Sequence, residues 1–507
     1  MSTGLEEHVA LSAEQTHALQ LVKSGENVFF TGPAGTGKSV LLRTIIEELI
    51  STTHDNHELA VTAPTGIAAL NIGGTTIHSF AGIGLGKEKK EILAKKIKNS
   101  LGPRERWSDL KTLIIDEISM VDGELFDKLE YIARVIKKNP APFGGIQLIL
   151  CGDFFQLPPV PDKTYKYHKP AVQTFDAKSW SRCISRPIFL TQVFRQRDPK
   201  FIQILTNMRH GMLNADDERT LRSLSRRLCY PDGIEPSRLY FLCFPLRRDV
   251  ESCNNTKLEA LPGDPCTFSA MDFAGYDYEG NPIDKSSAER LLDRINASPV
   301  ISLKVGAQVM LIQNVEQGTL VNGSQGLVID FMTVHDAQVR GVEIAEQTTR
   351  RGRDDVSTSD MGVSSSADLR PLNSNVFRRQ DLWPLVKFEN GRELLCQPLN
   401  FTVEGFMGNV EARRMQVPLI LSWALSIHKS QGQTLTRVKI DLEHIFEKGQ
   451  AYVAVSRATS MDNLEIMNFQ SSKVLAHPRV IAWHRFWSSF GPGELPEELR
   501  HDIHPDD

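Results

Sequence analysis

At 507 residues the chain is longer than one hydrophobic core usually organises, and 41% apolar with 24% charged residues is neither fibrous nor wholly disordered. A net charge of −4 excludes a globally basic nucleic-acid binder. No apolar run approaches the roughly 20 residues that span a bilayer, and the start MSTGLEEHVA has no basic stretch followed by an apolar one, so an intracellular protein without a membrane partner is expected. The seven cysteines are scattered with no C-x-x-C pair, and read as reduced thiols rather than as a disulfide framework or a zinc site.

In chain order, Leu11-Ser12-Ala13-Glu14-Gln15 opens a helix. The Gln15 amide carries the donor and acceptor that an adenine edge requires, and it equally fits a capping box. The apolar run Asn27–Thr31 then leads into Gly32-Pro33-Ala34-Gly35-Thr36-Gly37-Lys38-Ser39, followed by a helix from Lys38 to about Leu49. Strand, glycine-rich turn and helix in that order form a phosphate site. The glycines let N–H groups converge on phosphate, Lys38 neutralises β/γ charge, and the Ser39 hydroxyl offers a ligand to Mg²⁺. After the run Leu59–Ala63, the segment Lys87–Arg106 carries eight basic and three acidic residues at helical spacing, either a nucleic-acid contact or a solvated helix face.

The run Leu110–Asp116 ends in Asp116-Glu117, where one carboxylate can hold Mg²⁺ and the next can orient and deprotonate an attacking water. The run Ile146–Gly152 closes in Gly152-Asp153-Phe154-Phe155-Gln156, with Gln156 as an uncharged γ-phosphate sensor or a structural turn. Pro187–Thr191 completes a first set of buried parallel strands. Arg195 and Arg457 lie far beyond the phosphate loop and are either surface arginines or arginine fingers, which would suit phosphoryl transfer because it spreads charge over equatorial oxygens. The runs Arg238–Phe244, Met415–Leu421, Arg437–Leu442 and Leu464–Phe469 predict a second α/β domain. From about Pro265 to Arg414 helical periodicity fades and β-type runs appear, so a β-rich insertion is expected. Within it, Met332 to Val376 lacks aromatic residues and includes TTRRGRDDVSTSDMGVSSSADLR, too polar to offset its ordering entropy. The tail from Gly491 is similarly polar.

Together the stretches LSAEQ, FFTGPAGTGKS, AVTAPTGIAAL, GGTTIHSFAGIG, LIIDEISMVDGEL, FGGIQLILCGDFFQLPPV, LTQVFRQ, ALSIHKSQGQTL and AYVAVSRATSMDNL resemble superfamily 1 helicases. The likeness is to the eukaryotic branch of the petite-integration-frequency (PIF) family of 5′-to-3′ DNA helicases, with RecD-like relatives, and runs from about Leu11 to Phe469. It implies an α/β fold of two RecA-like P-loop NTPase domains, with a small wedge insertion in the first and a Src-homology-3-like β-barrel in the second. The expected boundaries are 1–190 for the first motor domain with the wedge at about 82–107, and 191–266 for the first part of the second. A signature helix at 198–213 falls in that part. The β-rich insertion then takes 267–414 with a flexible loop at about 341–376, the second motor domain resumes over 415–490, and 491–507 is a loose tail.

By resemblance Gln15 contacts adenine, Gly32 and Ala34 to Ser39 hold the phosphates, Ser39 and Asp116 the magnesium, and Glu117 the water. Lys38, Gln156, Arg195, Gly432 and Arg457 surround the γ-phosphate. Pro64, Thr65, His78, His428 and Lys429 meet single-stranded DNA. Pro33 stands where many relatives carry Ser. The implied activity is ATP-driven 5′-to-3′ translocation and unwinding of duplex, hybrid or folded DNA in replication, repair, recombination or telomere maintenance. The implied address is the nucleus, the mitochondrion or both, and the implied state is a monomer that DNA can bring together. Relatives carry N-terminal extensions, so a truncated core is expected. The alternatives are a translocase that displaces proteins without unwinding, an RNA helicase, and a scaffold with a dead ATPase, which would need a broken motif where Lys38, Asp116, Glu117 and Arg457 all stand.

Overall fold

The computed structural model describes residues 11–490 except 53–56, 85, 160–170, 229–236, 241–246, 278–279, 294, 316–319, 321, 347–368, 374, 379, 405–409, 427–436, 444 and 446. It forms two compact units. The first takes the described residues of Met1–Met212, Glu447–Tyr452 and Val474–Asp507, and the second takes Leu213–Phe446 and Val453–Lys473.

The first unit is built on strands β1 (Val28–Thr31), β2 (Leu59–Ala63), β3 (Thr75–Thr76), β4 (Thr112–Ile115), β5 (Gln147–Gly152) and β6 (Pro187–Phe189). They form one sheet in the order β3-β2-β4-β5-β1-β6, with every pair parallel. All four β1 residues are buried, as are most of β5, which is why these segments read as apolar runs rather than as alternating patterns. Because β4, β5 and β1 are neighbours, the turns leaving their carboxyl ends share one rim. Such a rim is where open parallel sheets bind ligands.

The basic segment folds as helices Lys90–Asn99 and Leu101–Asp109. Leu93, Ala94 and Ile97 are buried while Lys90, Lys95, Lys96 and Lys98 stay in solvent, the division of an amphipathic helix.

Two segments sit differently from the sequence reading. Helix Pro199–His210, assigned there to the second domain, packs in the first unit through buried Phe201, Ile204, Leu205 and Met208. Helix Pro478–Ser488 is also in the first unit, where the Trp483 ring stacks on Phe175 and meets Phe154 edge-on. For Pro478–Ser488 sequence order could not reveal this, because the chain returns after more than 200 residues in which only Glu447–Tyr452 belong to the first unit.

The second unit holds a parallel sheet in the order Ala424–Ser426, Ser237–Tyr240, Val438–Asp441, Leu464–Met467. Met415–Leu421, expected in that sheet, is antiparallel instead: Val410–Gln416 pairs with Leu399–Glu404, and Leu419–Leu421 with Gln308–Leu311. An apolar run fits either sheet, and only the partner strand decides. The β-rich region spans Cys266 to Leu421 and includes a six-stranded sheet with Gln325–Met332 and Trp383–Phe388 near its centre. Arg414 is buried there and bonds both carboxylate oxygens of Asp272 at 2.7 Å. Of the loop expected at 341–376, residues 347–368 lie outside the described residues, as does the tail at 491–507.

Candidate nucleotide site

The phosphate loop links β1 to helix Lys38–Thr52. Gly35 has φ +86°, a left-handed value that a side chain disfavours, and a Cβ there would lie 2.8 Å from the Arg195 Cβ. At Gly37 a Cβ would meet the Gln15 amide nitrogen at 2.6 Å. Lys38 Nζ donates to the carbonyls of Gly32 at 2.7 Å and Pro33 at 2.9 Å, so the ammonium lies across the loop mouth. Burial lowers its pKa, against the opposing pull of Asp153, Cys151 and Glu117. The Thr36 hydroxyl donates to Pro33 O at 2.9 Å, and the Ala34 N–H donates to the Tyr452 hydroxyl at 2.7 Å. Ser39, second residue of the helix, faces solvent.

On the neighbouring strand, Asp116 is buried and accepts from the Glu117 N–H at 2.8 Å. Burial raises its pKa, opposed by hydrogen bonds from Cys151 and Glu117 and by the charge of Lys38. Glu117 has φ 48° and ψ 44°. A non-glycine residue in the left-handed region costs roughly 1–2 kcal/mol, and the turn spends it to carry the carboxylate off the strand end.

Past the end of β5, Asp153 is fully buried and bound bidentately by Arg209, at 2.8 and 3.3 Å. Burial alone would raise the Asp153 pKa, but Arg209 and Lys38 outweigh it and the group is held low. The Gln156 amide also donates to Asp153, at 3.3 Å, and the Arg209 guanidinium lies 4.1 Å over the Phe155 ring. Removing one partner of so buried a pair strands a charge. Arg209→Ala is therefore expected to destabilise the protein by about 3–5 kcal/mol, read as a lowered urea midpoint with unchanged slope.

Gln15 forms the capping box and also reaches the phosphate loop. Its carbonyl accepts from the Ser12 N–H at 2.8 Å in a capping box, and its amide donates to Thr36 O and Gly37 O at 3.3 and 3.4 Å. Arg195 follows Phe194, whose N–H donates to Gly35 O at 2.8 Å. The Phe194 ring would touch a Cβ at Gly37 at 3.6 Å and is 47% exposed, an aromatic face beside the loop to which sequence reasoning gave no role. Its signal was present in LTQVFRQ, as an aromatic residue adjoining an assigned arginine. Arg209 and Tyr452 were missed for another reason: their partners lie 56 and 418 positions away.

Pro64 and Thr65 leave the carboxyl end of β2, with Thr65 accepting from the Ala68 N–H at 3.2 Å. His78 follows the paired β3 and is half-buried, which lowers its pKa. These three share the rim with the phosphate loop. Arg457 belongs to the second unit, where its Nε donates to Val453 O at 3.1 Å. Gly432, His428 and Lys429 lie outside the described residues.

A family model described as PIF1-like helicase matches residues 10–219, and one described as DNA helicase Pif1, 2B domain matches 289–331. The chain is 47% identical over 484 residues to the ATP-dependent DNA helicase PIF1 of Emericella nidulans, covering 93% of this chain and 62% of that protein. A crystal structure of the Pif1 helicase from Candida albicans aligns with TM-score 0.69 and 42% identity, covering 94% of this chain and 99% of that one. A Bacteroides Pif1 helicase solved with ADP-AlF3 and single-stranded DNA aligns with TM-score 0.56 and 26% identity, covering 95% and 98%.

Proposed function

The chain belongs to the PIF1-like helicase family, and from that premise we propose that it is an ATP-dependent DNA helicase moving 5′ to 3′ on single-stranded DNA. The observation that carries the reading is the common rim, where the phosphate loop, Asp116-Glu117 and Gln156 leave three adjacent strands. A phosphate cradle, a carboxylate pair and an uncharged sensor at one edge are what nucleotide hydrolysis needs.

In this reading Gln15 holds the adenine edge and Phe194 offers its face to the base. The amides from Gly35 to Ser39 cradle the phosphates at a helix start, where the dipole favours negative charge. Ser39 and Asp116 present a hydroxyl and a carboxylate, oxygen donors that suit Mg²⁺, which would offset charge shared by the β- and γ-phosphates. Glu117 orients the attacking water and takes its proton. Lys38, Arg195 and Arg457 stabilise the charge that spreads on the γ-phosphoryl oxygens, and Gln156 with Gly432 senses its presence. Departure of phosphate releases these contacts. Pro64, Thr65, His78, His428 and Lys429 grip the strand through phosphates and bases, so binding is largely sequence-independent and weakens with salt.

The substrates proposed are single-stranded, forked or folded DNA, and the setting is genome maintenance in the nucleus or mitochondrion. Relatives solved with single-stranded DNA and at forked duplex support DNA as the track. The test is ATP turnover with and without single-stranded DNA, beside strand displacement on a tailed duplex. Strong stimulation with displacement is expected. Turnover that DNA leaves unchanged would contradict the reading, and stimulation without displacement would favour a translocase that only strips bound proteins.

A further inference from the structure

Residues Glu447–Tyr452 return to the first unit after a long excursion, and the chain crosses to the second unit between Tyr452 and Val453. This short return touches two parts of the nucleotide site. Tyr452 is 2% exposed, and its hydroxyl accepts from the Ala34 N–H at 2.7 Å, the third residue of the phosphate loop. Its ring lines a small cavity with Pro33, Ala34, Val193, Gln196 and Leu205. Three residues earlier, a Cβ at Gly449 would lie 2.6 Å from Phe155 O and 2.7 Å from Gln156 O, so glycine is needed for the backbone to rest on the sensor turn. Gly449 is further fixed by its N–H bond to Leu475 O at 2.9 Å, and Gln450 by accepting from the Glu447 N–H at 3.1 Å. Beyond the crossing, Arg457 bonds the carbonyl of Val453, the residue that follows Tyr452.

We propose that Tyr452 is a positioning residue for γ-phosphate recognition: its hydroxyl fixes the Ala34 amide and thereby ties the phosphate loop to the returning segment Glu447–Tyr452. This rests on the ATPase reading above. A buried, near-ideal hydrogen bond to a loop amide leaves little play between the loop and the segment Glu447–Tyr452. In that reading the β-phosphate is cradled by the amides from Gly35 onward, which follow Ala34 in the loop. The contact therefore acts on the end of the loop that meets the γ-phosphate, which distinguishes ATP from ADP, through Ala34.

The test is Tyr452→Phe in the full chain, which keeps the ring and removes only the hydroxyl. Two readouts are needed: kcat for ATP at saturating single-stranded DNA, and the affinities of ADP and of a slowly hydrolysed ATP analogue. A five- to tenfold fall in kcat is expected, with the preference for the ATP analogue over ADP reduced several-fold and ADP affinity within twofold of wild type. Unchanged kcat and preference would overturn the inference. So would equal losses for ADP and the analogue, since the tyrosine would then only shape the loop. A wild-type protein without ATP turnover would sink the ATPase reading itself, whereas an active wild type matched by the variant sinks this inference alone.

Discussion

Lys38→Ala is expected to lower DNA-stimulated ATP turnover by about a thousandfold or more, because a single cation placed on the transferring phosphoryl group is worth ~10³–10⁵ in rate. The structure explains why Arg209 does not substitute. Lys38 Nζ lies at the loop mouth on the carbonyls of Gly32 and Pro33, while Arg209, the buried cation beside the sensor turn, is committed to Asp153. A thousandfold loss corresponds to about 4 kcal/mol of transition-state stabilisation. The loss should appear in ATP affinity as well as in kcat, since the same charge attracts the bound nucleotide before reaction. Titration of a fluorescent ATP analogue beside steady-state turnover checks both. A variant that still hydrolysed ATP within tenfold of wild type would contradict the assignment of this loop.

Glu117→Gln separates chemistry from binding. The amide keeps the size of the side chain and demands the same left-handed backbone at φ 48°, so the turn survives, but it cannot take a proton from water. General-base catalysis contributes about 10²–10⁴-fold, and a loss of that size in kcat is expected with nucleotide affinity preserved. The variant should therefore accumulate in the ATP-bound state and hold single-stranded DNA without advancing. Equal losses in affinity and turnover would show instead that Glu117 shapes the site rather than acts in it. Comparing the two variants in one titration distinguishes a cation that binds from a carboxylate that reacts.

Much of the candidate nucleotide site could be read from the sequence because its parts are local. Gly32 to Ser39, Asp116-Glu117 and Gln156 each follow an apolar run directly, and the pattern of run, turn and helix needs no distant partner. The parallel sheet then brings these three turns to one rim, which strand order alone could not state. Residues whose role depends on a fold-back were not legible. Arg209 looks like one charge on an amphipathic helix until Asp153 is seen beneath it, and Tyr452 looks like core until Ala34 is seen against it. The same reason moved two helices. Pro199–His210 follows the first sheet closely in sequence, and Pro478–Ser488 lies at the far end of the chain, yet both pack in the first unit. Apolar stripes say that a face is buried without saying on what. Gln15 is the instructive intermediate: its capping box was legible from LSAEQ, while its bond to Thr36 O in the phosphate loop was not.

Polarity is the property least accessible to local reading, and it rests on family membership. Direction depends on which strand contacts tighten as ATP binds, and no side-chain identity encodes that. Paired duplexes bearing either a 5′ or a 3′ single-stranded tail, otherwise identical, test it directly with the purified chain and ATP. Displacement of the 5′-tailed duplex is expected, dependent on Lys38 and Glu117, with the 3′-tailed duplex left intact. Displacement of the 3′-tailed duplex alone, or of neither while ATP turnover persists, would contradict it.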